Sequence, residues 1–122
     1  MLSKALLENA FDYPSISRKR VENYEILNRY LSKFAIFPNL PEGVVPLAYP
    51  IRLRNREEVR QHLFKKKIYP PVHWPLSGLV PENFAASHHL SSTILSLVCD
   101  QRYSSADMIG TAELVLKEAK LD

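Results

Sequence analysis

The side chains with the most chemical capacity fall in one short stretch, "IYPPVHWPL", residues 68–76. It holds Tyr69, His73 and the only tryptophan, Trp74, on a chain stiffened by Pro70, Pro71 and Pro75. An imidazole beside an indole can orient a ligand, because the ring faces stack and the ring nitrogens hydrogen-bond. The same residue types also suit a structural corner, with Trp74 in the core and the prolines as stiffeners. Residue types alone put the corner slightly ahead.

Other reactive residues form weaker sets. His88 and His89 are adjacent, so on a helix they diverge by roughly 100°, whereas useful metal-ligand pairs stand three or four residues apart. Solvent-exposed histidines are the better reading, and no HExxH or CxxC spacing exists. Cys99 with His73 and Asp100 can be drawn as a nucleophile set. Nothing in the sequence brings the imidazole to the thiol, and a lone cysteine ending an apolar strand is more often a packing residue. Three scattered glycines cannot build a phosphate-cradling loop. No catalytic residue and no metal ligand is assigned.

The elements that must position these residues follow from periodicity. Residues 3–11 suit a short helix capped by Ser3, ended by "DYPS" at Pro14. From Ser17 to Phe34, apolar residues Val21, Tyr24, Leu27, Leu31 and Phe34 recur at helical spacing. In "VVPLAYPIRL" the residues Val45, Leu47, Tyr49, Ile51 and Leu53 alternate as in a strand. Pro46 and Pro50 share the other parity, so both missing donors lie on one edge, which should be open or irregular. Asn55 with Glu58 matches a capping box, opening a helix that buries Val59 and Leu63 and ends at Lys65–Lys67. "IYPPVHW" is extended, since a residue before proline is pushed out of the helical region. A weaker helix spans Phe84 to Thr93, "ILSLVC" is a short apolar strand, and Ser104 with Asp107 caps a last helix whose core side is Met108, Ala112, Val115 and Ala119. This order predicts a two-layer α+β module of about three short strands, with helices mainly on one face. The other sheet face then needs a partner.

Composition bounds the class. The chain has 122 residues, 46% of them apolar and 24% charged, which fits a single folded domain behind a lead-in at residues 1–16. Nine prolines against three glycines imply stiff connections. One cysteine excludes an intrachain disulfide framework and fits a reducing cytoplasm. No apolar run approaches the ~20 residues of a membrane span. A net charge of +3 permits nucleic-acid binding without arguing for it. The lysine triplet is explained by the negative end of the helix it closes.

Several segments, taken in order, resemble the C-terminal part of the DegT-type sugar aminotransferases. They are "RKRVENYEILNRYL", "VPLAYPIRLRNREEVRQHLFKKKIYPPVHW" and "LSSTILSLVCDQRYSSADM", and the similarity spans roughly Ser17 to Leu121. The family's Arg-rich helix start matches Arg18–Arg20, and its proline-framed strand matches Pro46–Ile51. Its Asn-Arg helix opening matches Asn55–Arg56, its His-aromatic segment Ile68–Trp74, and its "LSLP" strand Leu95–Val98, where valine replaces the usual proline.

The resemblance implies the small domain of the aspartate-aminotransferase fold, from enzymes that use pyridoxal phosphate to aminate nucleotide-linked ketosugars. It implies that the large domain, with its Schiff-base lysine, is missing. This chain would then hold no cofactor and be inactive alone, with either that large domain or a second copy covering the free sheet face. It also implies that Tyr69, His73 and Trp74 face the nucleotide-sugar. Two other readings stay open: a stand-alone sugar-nucleotide-binding or regulatory module, and a basic nucleic-acid-associated α+β protein.

Overall fold

The apolar stripe of Tyr24, Leu27 and Leu31 becomes the buried side of helix α1, Tyr13–Leu31, followed by a 3-10 turn at Ser32–Phe34. The computed structural model describes residues 12–122, so the helix expected at residues 3–11 lies outside the described residues. Helix α1 starts earlier than its apolar spacing predicts. Pro14 does not break it but sits in its first turn, where a missing N–H costs nothing. Asp12 supplies the cap, accepting from the Ser15 N–H at 3.1 Å.

Strand β1, Ala48–Arg52, pairs antiparallel with β2, Ile94–Val98. Between them lie helix α2, Arg56–Lys65, and helix α3, Ala85–Thr93, and helix α4, Ser105–Glu118, closes the chain. Tyr49 faces Leu97 and Ile51 faces Leu95, which puts four large apolar side chains on one face of the ribbon. Leu27 and Leu31 of α1, Val59 and Leu63 of α2, and Met108, Ala112 and Val115 of α4 bury that face completely. The result is a small two-layer α+β module, as expected.

The proline edge behaves as parity predicts. Pro50 is opposite Ser96, and the two point their backbone groups away from each other. The Pro50 carbonyl accepts from the Ile36 N–H at 3.2 Å, while the Ser96 N–H donates to the Pro71 carbonyl at 3.3 Å. The missing Pro50 donor therefore falls on the outer edge, which takes only an isolated bridge between Ala35 and Ile51.

Three sequence expectations need correction. The sheet has two strands among the described residues, not three. "IYPPVHW" lies extended beside β2 but lends it a single hydrogen bond, because Pro70, Pro71 and Pro75 have no N–H to continue a ladder. Strand β1 also starts at Ala48, leaving Val45 and Leu47 exposed; the alternation continued past the end of the pairing. Finally, Asn55 makes no cap hydrogen bond. Its amide donates to the Glu118 carbonyl at 2.6 Å and accepts from the Lys120 N–H at 2.9 Å, fastening the end of α4 to the start of α2. The Ser104–Asp107 capping box forms as read.

Candidate functional site

The polypeptide reaches the segment of interest through a tight helix stop. Lys67, at φ 61°, donates its N–H to the Phe64 carbonyl, and the Ile68 N–H reaches the Leu63 carbonyl at 3.0 Å. This is a Schellman ending, and Ile68 packs against the core beside it. Pro70 is buried, and the chain then runs along the margin of β2 to His73 and Trp74.

Trp74 is 78% exposed, so the segment is not a corner built around a core tryptophan. Its ring lies 5.8 Å from that of His73 at an angle of 58°. Its backbone has φ 46°, a conformation that costs a bulky residue energy and persists only where neighbours hold it. Here the Ser91 hydroxyl donates to the Trp74 carbonyl at 2.9 Å. The Ser91 carbonyl in turn accepts from the Arg56 guanidinium, which also reaches the Ile94 carbonyl at 3.4 Å. The start of α2 thus holds the end of α3, and α3 holds the His73–Trp74 wall.

His73 borders a cleft of about 540 Å³ on the outer face of the ribbon. Its floor is Ala48, Pro50 and Ser96, and its far side is Tyr24, Leu40 and Val45. No lysine, arginine or carboxylate among the described residues lines it. Such a surface can stack rings and hydrogen-bond through His73, Asn39 and Ser96. Phe37 and Leu47, 62% and 82% exposed, continue the apolar surface around it.

The structure brings His73 and Trp74 together and separates Tyr69 from them. Tyr69 turns towards α4, its ring 5.5 Å from that of Phe64, and lines a different groove. The two adjacent histidines diverge as helical geometry requires. His88 Nε2 meets the Val80 carbonyl at 3.1 Å, and His89 Nε2 meets Asp122 Oδ2 at 2.8 Å. No group of three potential metal ligands occurs among the described residues.

The thiol set does not assemble either. Cys99 is fully buried, and burial pushes its thiol up to about 11, so it stays protonated at neutral pH. Asp100 is committed to Arg102, whose guanidinium donates to both carboxylate oxygens at 3.0 and 2.7 Å. That hydrogen bonding holds the Asp100 carboxyl below its ordinary range.

Sequence reasoning missed Asn23, Asn55 and Arg56 as fasteners. Asn23 is wholly buried, and its amide nitrogen lies within 3.0–3.3 Å of the Cys99, Asp100 and Tyr103 carbonyls. A signal was present, since Asn23 stands four and eight residues before Leu27 and Leu31 on one helix face. A polar residue in that row has to find partners inside.

No protein-family profile matches the chain, and no curated protein is similar to it in sequence. Among solved structures, it is similar to a DegT DnrJ EryC1 StrS aminotransferase from Brucella abortus. The TM-score is 0.69 at 22% identity, over 93% of this chain and 32% of that one. The chain therefore spans about a third of that enzyme's length and has the fold of that third.

Proposed function

We propose that the chain serves as the small domain of a pyridoxal-phosphate-dependent aminotransferase acting on nucleotide-linked ketosugars. The observation that carries this reading is the fold match over nearly the whole chain to one third of an aminotransferase. The sheet's outer face supports it: an apolar surface with an aromatic wall suits the margin of a substrate cleft whose other side belongs to a large domain.

Pyridoxal phosphate needs a lysine for its aldehyde and an acid for its ring nitrogen. The residues of the outer cleft do not fit it, because the lining holds neither. The described lysines lie on helices or at their ends, Lys33 over the Phe34 ring at 5.1 Å and Lys65–Lys67 around the end of α2. The cofactor chemistry is thus assigned to the large domain, whether that domain precedes this chain in one polypeptide or is a separate one. This chain's part is to close and orient. His73 and Trp74 present an imidazole and an indole face to the sugar-nucleotide, and the Arg56–Ser91–Trp74 bonds hold them still, so little entropy is lost on binding. Tyr69 faces away from that wall and has no part in this reading. No helix among the described residues is long and apolar enough to cross a membrane. The buried thiol of Cys99 suits a cytoplasmic setting.

The test is reduction with borohydride in the presence of pyridoxal phosphate, followed by mass spectrometry. The chain alone should show no stoichiometric lysine adduct and no transamination. Combined with a large domain carrying the catalytic lysine, it should aminate a nucleotide-ketosugar. Turnover by this chain alone would contradict the proposal.

A further inference from the structure

A second groove lies between the end of α2 and the side of α4, away from the outer face of the ribbon. It encloses about 390 Å³, the size that holds one small molecule. Its rim carries Lys66, Lys67, Tyr69 and Tyr103, and Met108 and Leu114 form an apolar floor.

Two features point to a ligand. Among the described residues, the ammonium groups of Lys66 and Lys67 have no ion-pair or hydrogen-bond partner. Second, the one acid among the described lining residues, Asp107, is tied into the Ser104 capping box and keeps its negative charge. It accepts from the Ser104 N–H at 2.9 Å at the positive end of α4 and offsets one of the two lysines, leaving the rim with a net positive charge.

We infer that this groove binds a small anion carrying a planar ring, of the nucleoside-phosphate kind. Lysine ammoniums act as mobile point charges suited to a phosphate. The rings of Tyr69 and Tyr103 beside an apolar floor suit a flat base, and Tyr69 is backed by Phe64 at 5.5 Å. This site does not depend on the aminotransferase reading, which rests on the opposite face of the sheet.

Calorimetric titration of the 122-residue chain with adenosine monophosphate tests it, beside adenosine and inorganic phosphate. One nucleotide should bind per chain with a Kd below about 1 mM at low salt, weakening as salt rises. Adenosine and phosphate should each bind at least about tenfold more weakly, since each lacks half of the recognised chemistry. The double variant Lys66→Gln with Lys67→Gln, and separately Tyr69→Ala, should each lose about tenfold with unchanged circular dichroism. Double replacement by arginine should retain binding, and Leu47→Asp on the outer face should leave it unchanged. No saturation by millimolar nucleotide would overturn the site. So would equal binding by the glutamine variant, or a loss confined to Leu47→Asp.

Discussion

The two faces of the β1–β2 ribbon carry similar numbers of apolar residues and do opposite work. On the inner face, Tyr49, Ile51, Leu95 and Leu97 are completely buried under three helices. On the outer side, Phe37, Val45 and Leu47 stand in solvent beside a cleft edged by His73. The inner residues pair with one another, Tyr49 with Leu97 and Ile51 with Leu95, and none faces a proline. The outer surface is framed by Pro46, Pro50 and the Pro70–Pro75 segment, which cannot extend the sheet. Hydrophobicity alone does not separate these surfaces; the helices do, since α1, α2 and α4 cover the inner one. The inner face stabilises this fold, while the outer face is stiff, apolar and exposed.

If that division is right, truncation should be severe on one face and mild on the other. Leu97→Ala should cost about 2–5 kcal/mol in urea denaturation, the range for a buried leucine. The next largest effect should come from Asn23→Ala, about 1–3 kcal/mol, because three carbonyls lose their shared donor. Trp74→Ala should cost under about 1 kcal/mol in the isolated chain, well below the ~3–5 kcal/mol of a core tryptophan. A loss in the core range would erase the contrast and return the segment to a structural role.

Two titrating groups sharpen the comparison further. Hydrogen bonding from Arg102 depresses the Asp100 carboxyl, so the folded state binds this proton less readily than the unfolded one. Its contribution is present above the unfolded value near 3.9 and is lost as pH falls through the lower folded value. Asp100→Asn should therefore flatten the acid limb of a stability-versus-pH curve below about pH 4. Cys99 shifts the other way: raised to about 11 by burial, it favours folding below the unfolded thiol value and loses that contribution as pH rises towards 11. At pH 8 the folded chain should resist iodoacetamide, with labelling following unfolding; rapid native labelling would show that the inner face is open.

Much of the inner face was legible in the sequence. Helical spacing identified Leu27 and Leu31, Val59 and Leu63, and Met108 and Val115, because a buried helix side writes itself at three- and four-residue intervals. The outer face was not. Alternation marked Val45 and Leu47 as strand residues, yet alternation reports a pleat and not a partner, and pairing stops at Ala48. Asn55–Glu58 fitted a capping box in one dimension, while in three dimensions the end of α4 competes for the same amide. His73 and Trp74 were marked as candidates, but only the Ser91 and Arg56 bonds show how the wall is held. Those bonds join residues far apart in sequence, where no periodicity records them.

The central claim, that the outer face is a docking surface, is tested most directly by sedimentation equilibrium of the chain alone across a range of concentrations. With no partner present, wild-type protein should self-associate through the exposed apolar surface, and Leu47→Asp should restore a monomer without loss of helix content. A wild-type chain that stays monomeric at the highest concentration, or association that survives Leu47→Asp unchanged, would contradict the account.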